Sequence, residues 1–154
     1  MTRTAPYRVL VIGSRTWRNF EPVYAALDEL LRQHPDMVLI HGACREGVDA
    51  IADRWAIRRG VTGEDRLWRL AAPWKVHGKA AGGLRNQEMV DRRPDVCVAF
   101  IDPCVSQICR RQSVHGSHGG EDCVRRARKA RIRTVAVRSW EPRPGQPALF
   151  GRPS

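Results

Sequence analysis

Arg8-Val9-Leu10-Val11-Ile12-Gly13-Ser14-Arg15 is the stretch from which the fold can be predicted. Its uninterrupted apolar core is typical of a parallel strand that is buried on both faces, and the glycine and polar residues end it. A helical pattern follows, in which apolar residues recur at Val23, Ala26, Leu27, Leu30 and Leu31. Met37-Val38-Leu39-Ile40 is a second buried run. Strand, helix and strand in this order predict a βαβ unit.

The same alternation continues along the chain. The further elements predicted are a helix from Val48 to Arg59, a short strand within 66–70, a helix over 80–92, a strand over 95–101, a helix over 121–131 and a strand over 134–137. Repeated βα units place helices on both faces of a mostly parallel sheet. We therefore expect an α/β fold of the Rossmann-like type, with three α/β/α layers and about five strands.

A chain of 154 residues is long enough for one domain with a substantial core. We assign residues 1–140 to that single domain. Residues 102–120 lack periodicity and are interpreted as an inserted or lid loop within it. Residues 141–154 are rich in Pro and Gly and are predicted to form a flexible tail.

Basic residues outnumber acidic ones, with 27 Lys+Arg against 16 Asp+Glu and a formal net charge of +11. Arginine accounts for 24 of the cations, which suits phosphate contacts, although a coding bias explains the excess equally well. No apolar run reaches the roughly 18 residues of a membrane span. No signal-peptide pattern precedes the first strand, so we expect a cytoplasmic protein without a membrane partner.

Four loops are predicted to meet at the carboxyl edge of the sheet, where parallel α/β folds bind their ligands. They are Gly13–Trp17, His41–Asp49, the segment before Arg85, and 102–122. Their glycines allow close approach of the backbone, and their basic side chains can pair with phosphate. The ligand-binding candidates in the first three loops are Gly13, Ser14, Arg15, His41, Gly42, Gly47, Asp49, Lys79, Arg85 and Asn86.

Each candidate also has a purely structural interpretation. Arg15 can be a solvated residue of a strand-to-helix turn, and Asp49 can complement the positive end of a helix instead of accepting a ribose hydroxyl. Asn86 can form a local cap. Trp17 and Trp74 lie in the same loops, and ordinary packing is favoured over base stacking for both.

Four motifs follow one another in these loops: Val-Ile-Gly-Ser-Arg at 11–15, His-Gly-x-Cys-x-x-Gly-x-Asp at 41–49, Trp-x-x-x-Gly-Lys-Ala-Ala-Gly at 74–82 and Arg-Asn-x-x-Met at 85–89. Together they resemble the YspA-like core-domain family of the SLOG (Smf/DprA–LOG) superfamily of Rossmann-like nucleotide-binding domains, over residues 7–138. The resemblance implies a site for a nucleotide or nucleotide-derived small molecule, with no cofactor required. It is also compatible with a homo-oligomer, because LOG-type relatives pair through helices.

The superfamily includes the LOG phosphoribohydrolases, which cleave the base–ribose bond of nucleoside monophosphates. Arg85 matches their catalytic arginine, and their phosphate-binding turn corresponds to Gly116, Ser117, Gly119 and Gly120. Cys123 stands where their catalytic glutamate is expected, and a neutral thiol cannot replace a carboxylate in glycoside cleavage. The resemblance therefore favours ligand binding over hydrolysis. The alternative is a nucleotide N-glycosidase in which Arg85 and the adjacent Asp122 are catalytic.

The loop 102–120 also carries residue types that bind zinc. They are Cys104, Cys109, His115 and His118. Their spacing is not that of a recognised zinc finger, so no metal site is predicted and the four residues are only weak candidates.

The predicted helix over 121–131 is strongly basic. Its exposed Arg and Lys leave a third hypothesis open, a DprA-like module that binds nucleic acid weakly through this helix. Aromatic residues that could stack on bases are not interleaved with the cations. A solvated helix face is therefore the favoured interpretation.

Overall fold

A computed structural model describes residues 5–141 of the protein. The strands are β1 (Arg8–Gly13), β2 (Val38–His41), β3 (Leu67–Arg69), β4 (Val96–Ile101) and β5 (Arg133–Arg138). The helices are α1 (Phe20–Gln33), α2 (Val48–Arg59), α3 (Trp74–His77), α4 (Ala81–Asp91) and α5 (His118–Lys129), with a 3₁₀ turn at Gly78–Ala80. The strands form one parallel sheet in the order β3-β2-β1-β4-β5. The predicted Rossmann-like fold is confirmed.

The sheet is covered on both faces, which explains why its central strands are apolar throughout. On one face α1 and α2 pack Leu27 and Trp55 against alternate residues of β1, β2 and β4. On the other face α4 and α5 pack Met89 and Val124 against the remaining residues of the same strands. Every residue of β4 is buried, as expected for a central strand between two helical layers.

The ends of the helices follow their sequence signals in most places. Asn19 caps α1 by accepting a hydrogen bond from the Glu21 N–H, and α2 ends at Gly60 in the left-handed conformation. In contrast, α5 begins at His118, three residues before the predicted start. The sequence did not predict this first turn, because Gly119 and Gly120 give no helical signal. The turn is closed by a hydrogen bond from the Glu121 N–H to the Ser117 carbonyl. The loop after β4 is thus 102–117. Of the predicted tail 141–154, all but residue 141 lies outside the described residues.

The strand order creates a crevice between β1 and β4. The chain leaving β1 crosses towards β2, whereas the chain leaving β4 crosses towards β5 on the opposite side. The two connecting loops therefore diverge at the carboxyl ends of neighbouring strands, which is where ligands bind in open α/β sheets. Between residues 5 and 141, none of the helices combines the length and the apolar character needed to cross a bilayer.

Candidate functional site

A cavity of about 540 Å³ opens at this crevice. The structure brings most of the candidate residues from the four loops into its wall. Those that line it are Gly13, Ser14, Arg15, Asp49, Lys79, Arg85, Asn86, Ser117, Gly119, Gly120 and Asp122. The candidates His41, Gly42, Gly47 and Gly116 are not among the lining residues and support the wall from behind.

Two serine hydroxyls join the loops that follow β1 and β4. Ser14 Oγ lies 2.5 Å from Ser117 Oγ and also accepts a hydrogen bond from the Asp102 N–H at 2.8 Å. Thr16 Oγ1 adds a second link by donating to Asp102 Oδ2 at 2.8 Å. The crevice is therefore held together at its floor by hydrogen bonds between its two sides.

His41 has a structural position. It is buried, its Nδ1 accepts a hydrogen bond from the Ala43 N–H, and its Nε2 donates to Asp53 Oδ1 at 2.7 Å. Asp53 also pairs with Arg69, at 2.7 Å. Burial acts to raise the pKa of Asp53, but the hydrogen bonds from Arg69 and His41 outweigh it, and the pKa lies below its ordinary value. His41 thus ties the end of β2 to α2 and β3.

The glycines behind the wall provide space and an unusual backbone conformation. The Gly42 carbonyl oxygen accepts a hydrogen bond from Arg85 Nη1, and a Cβ added at Gly42 would lie 2.5 Å from that nitrogen. Gly47 has a φ of +76° and packs against the carbonyl of Ser14. Gly116 pairs with Pro103 in an isolated antiparallel bridge that closes the loop after β4.

Arg85 is held almost entirely inside the protein. Its side chain donates from Nε to Asn86 Oδ1 at 3.2 Å and from Nη1 to the Gly42 carbonyl. Nη2 makes no hydrogen bond to any described residue. Within residues 5–141 no fully buried side-chain nitrogen or oxygen lacks a partner, so Nη2 is not fully buried. Nη2 is therefore the part of the guanidinium that a ligand in the cavity can reach.

Asn86 connects Arg85 to the start of α5. Its Nδ2 donates to Asp122 Oδ2 at 3.0 Å and to the Gly119 carbonyl at 3.3 Å. The amide thereby fixes α4 against the glycine turn, and its Oδ1 orients the Arg85 guanidinium. The Arg-Asn pair is a positioning device as well as part of the wall.

Asp122 is an ionised carboxylate surrounded by donors. In addition to Asn86, it accepts hydrogen bonds from Arg125 at 2.7 Å and from Arg126 at 2.8 Å. Burial acts to raise the pKa of Asp122, but the Arg126 and Asn86 hydrogen bonds and the neighbouring positive charges lower it overall. A carboxylate stabilised in this way is a weak proton acceptor.

Two cysteines line the cavity, and neither environment resembles that of an activated nucleophile. Burial, followed by the charge of Asp49, raises the pKa of the Cys44 thiol. Cys123 is buried at the position that the resemblance assigns to a catalytic glutamate, and it lies against Cys97. A hydrogen bond with Cys123 and burial raise the pKa of Cys97. Cys97 and Cys123 are best explained as small core residues.

Several lining residues were not identified from the sequence, namely Thr16, Pro103, Val105 and His118. Trp74 also lines the cavity. The sequence favoured ordinary packing for this residue, but it is 48% exposed. The Arg15 guanidinium lies 5.7 Å from the centre of the Trp74 ring. Trp17, by contrast, is 3% exposed and packs against Phe100, as predicted. Position within a site loop was the available signal for Trp74.

The charge of the wall is positive where it is accessible. Arg15 and Lys79 form no ion pair with any residue between 5 and 141, whereas Asp122 is neutralised by Arg125 and Arg126. Arg125 and Arg126 of the basic helix are thus occupied, whereas Arg138, which pairs with Glu121, belongs to β5. Nucleic-acid binding by this helix stays a prediction.

The comparisons with known proteins agree with this architecture. Residues 7–77 match a family described as the YspA, cpYpsA-related SLOG family. The chain is also 42% identical over 132 residues to the gene 61 protein of Mycobacterium phage D29, an alignment that covers 83% of this chain and 94% of the phage protein. The name of the phage protein states no function. On these grounds the chain belongs to the YspA, cpYpsA-related SLOG family.

Proposed function

We propose that the protein binds a nucleotide or nucleotide-derived small molecule in the cavity between β1 and β4. Membership in the SLOG family indicates nucleotide-related binding in a broad sense. The observation that carries the finer proposal is the pair of unneutralised cations, Arg15 and Lys79, at a cavity whose floor includes the amino end of α5. Such a helix end attracts anions through its free N–H groups and its dipole.

The phosphate is assigned to the turn Ser117–Gly120. The N–H groups of residues 118–120 precede the first donor that has an acceptor within the helix, that of Glu121. Ser117 occupies the N-cap position, but its side chain makes no capping bond because Oγ is directed to Ser14. A phosphate oxygen can take over the capping role, with Arg85 Nη2 as an additional donor.

The nucleoside is assigned to the opposite wall. Trp74 offers a half-exposed aromatic face on which a base can stack, and Arg15 lies beside that ring. Asp49 is buried but lines the cavity, and its Oδ2 accepts the Cys44 N–H at 3.1 Å. Its other carboxylate oxygen is suited to accept a ribose hydroxyl.

The chemistry of the wall favours binding over N-glycoside hydrolysis. Hydrolysis requires a carboxylate that can activate water or stabilise a developing oxocarbenium ion. Asp122 is already engaged by Arg125, Arg126 and Asn86. Cys123, at the position that the resemblance assigns to a catalytic glutamate, has no carboxylate to take this role.

Thermal-shift and calorimetric titrations of the full chain test the proposal. The probes are AMP, ribose 5-phosphate, adenosine, NAD and ADP-ribose, with reversed-phase analysis for released base. The double variant Arg15→Ala with Lys79→Ala is expected to bind the phosphorylated probes about tenfold more weakly or worse, since hydrogen bonds to charged groups contribute about 1.5–3 kcal/mol. Arg58→Ala, at the far end of α2, removes an exposed cation outside the cavity and should leave binding unchanged.

Four results would contradict the proposal. If no phosphorylated probe stabilised the protein, the proposal would be rejected. If the double variant bound the probes as well as the unaltered chain, the ligand would have to bind at another surface. Release of adenine from AMP that is abolished by Asp122→Asn would instead establish the hydrolase. Binding of oligonucleotides that weakens steeply with salt, without binding of the small probes, would favour the nucleic-acid hypothesis.

A further inference from the structure

We propose that Cys104, Cys109, His115 and His118 form a zinc site in the loop between β4 and α5. This inference does not rest on nucleotide binding. The four ligand atoms, two Sγ and two imidazole nitrogens, all lie within 4.8 Å of one another. The sequence offered these four residues only as weak candidates, because their spacing is not that of a recognised zinc finger.

The loop brings them together by closing on itself. Pro103 and Gly116 form an antiparallel bridge, and the Cys104 N–H donates to the His115 carbonyl at 2.8 Å. The two ends of the loop are therefore paired as in a short hairpin. One Cys and one His lie at this paired base, Cys109 returns to it from the loop, and His118 belongs to the first turn of α5.

The distances fit tetrahedral coordination. Zn–S bonds of about 2.3 Å and Zn–N bonds of about 2.0–2.1 Å give an S···N edge of about 3.6 Å in a regular tetrahedron. Cys104 Sγ lies 3.5 Å from His118 Nε2, and Cys109 Sγ lies 3.3 Å from His115 Nε2. Both edges match within a few tenths of an ångström, so an ion requires only a small adjustment of the side chains.

The tautomer of His115 provides an independent argument. Its Nδ1 lies 2.9 Å from the carbonyl oxygen of Ser113, and a carbonyl can only accept. Nδ1 therefore carries the proton, and Nε2 presents its lone pair towards Cys109 Sγ. Histidines that bind metals in proteins are oriented in this way, by donating their other ring N–H to a carbonyl or carboxylate.

The donor set selects the metal. Two thiolates with two imidazoles in a tetrahedral arrangement are typical of Zn²⁺, whereas Mg²⁺ and Ca²⁺ require oxygen ligands. Each thiol loses its proton when the bond to zinc forms, so binding releases two protons per metal. The two thiolates neutralise the ion, and four protein ligands leave no open position for a substrate.

The site has a consequence for the cavity, because His118 belongs to both and Val105, which lines the cavity, directly follows Cys104. Val105 is 74% exposed and lies next to a proposed ligand, Cys104. Zinc would fasten this part of the loop to the first residue of α5. The rim of the cavity would then be held in place by the metal.

The test uses the full chain purified under reducing conditions from zinc-supplemented medium. Elemental analysis is expected to find about one zinc per chain, as for a closed structural site. After removal of zinc, Co²⁺ should produce the intense ligand-field bands of a tetrahedral site together with thiolate-to-cobalt charge-transfer absorption. Added Zn²⁺ should remove those bands, and a weakly buffered titration should record the released protons.

The matched variants separate these residues from other cysteines and histidines. Cys109→Ser and His115→Ala should lose the metal and the cobalt spectrum. Cys44→Ser, which changes another partly buried thiol, and His77→Ala, which changes an exposed histidine, should retain both. The titrations of the unaltered chain stand by themselves if a variant does not fold.

Metal-free protein with reduced thiols and no tetrahedral cobalt spectrum would overturn the proposal. The close contacts would then be thiol–imidazole hydrogen bonds. Mass spectrometry showing a Cys104–Cys109 disulfide in protein isolated with thiol trapping would overturn it in favour of a redox pair. Nucleotide titrations repeated on the chelator-treated chain distinguish failure of this inference from failure of the proposed ligand.

Discussion

Ser14 Oγ and Ser117 Oγ lie 2.5 Å apart, although 103 residues separate them along the chain. Ser14 follows β1 and Ser117 precedes α5, so the contact spans the crevice created by the strand order. The Ser14 hydroxyl also accepts the Asp102 N–H. The Ser14 hydroxyl therefore makes two hydrogen bonds across the crevice, whereas the Ser117 hydroxyl makes one.

The two serines are expected to differ in their effect on stability. Ser14→Ala leaves the Asp102 N–H without its acceptor and should lower the free energy of unfolding by about 1–3 kcal/mol. Ser117→Ala removes one hydroxyl contact and no helix cap, and should cost about 0.5–1.5 kcal/mol. Urea unfolding of both variants and of the double variant measures their coupling. Equal losses in the single variants would contradict the asymmetric role of Ser14.

Substitution by alanine is expected to lower stability at one glycine of the site and to have little effect at another. Gly42→Ala places Cβ 2.8 Å from Arg85 Cζ and 2.9 Å from Asp49 Oδ2, so it should displace the guanidinium and destabilise the fold by about 1–3 kcal/mol. Gly119→Ala meets no atom within 4 Å and should change stability by no more than about 0.5 kcal/mol. Thermal unfolding gives the comparison, and a destabilised Gly119→Ala would show that the turn is packed differently.

Asp53 is expected to be the most important partner of the second strand. Asp53→Asn removes the charge that holds both His41 and Arg69, and should lower stability by about 1–3 kcal/mol. Glu88→Gln breaks an exposed pair with Arg92 at 3.4 Å and serves as the control, with an expected change of about 0–1 kcal/mol. Chemical denaturation compares the free energies of unfolding of the two variants. If both fell by a similarly small amount, solvent would replace the contacts of Asp53.

Stability should fall in acid because several carboxyl pKa values are lower in the folded state. The pKa is lowered for Glu121 chiefly by Arg138, and for Asp53 and Asp122 by hydrogen bonds that outweigh the opposing effect of burial. In the unfolded chain the side-chain pKa values of Asp and Glu are about 3.9–4.3. The unfolded chain thus binds protons first as the pH falls, so the stabilisation is complete above that range and is lost progressively below it.

Urea midpoints measured from neutral pH down to about pH 3 check this dependence. The double variant Asp53→Asn with Asp122→Asn should show a shallower acid limb than the unaltered chain. An unchanged limb would assign the acid sensitivity to other carboxylates, such as Glu29, whose pKa is lowered to about 2, first by a hydrogen bond from Arg32.

The strands and most helices could be predicted because burial on one or two faces leaves a period in the sequence. The apolar runs at Val9–Ile12 and Val96–Ile101 are such signals, and parallel pairing brings their ends together without further information. The start of α5 could not be predicted, because its first turn contains Gly119 and Gly120 and depends on a contact with β1.

The details of the site depend on contacts between distant segments, which leave no local pattern. The Arg85 hydrogen bond to Gly42 joins residues 43 apart, and the sulfur–imidazole cluster depends on how one loop closes. For the same reason the sequence presents Arg125 and Arg126 as exposed cations of the basic helix, although Asp122 occupies both. Residue types indicated which chemistry was available, and the fold decided which groups meet.

The central position of β1 also bears on how the chain is made. During synthesis only one neighbour of β1 is available at first, because β2 is made before β4. Until β4 arrives, β1 presents an open backbone edge and an apolar face that α4 and α5 do not yet cover. The nascent chain is therefore expected to be prone to aggregation until α4, β4 and α5, which lie within residues 81–129, have been synthesised.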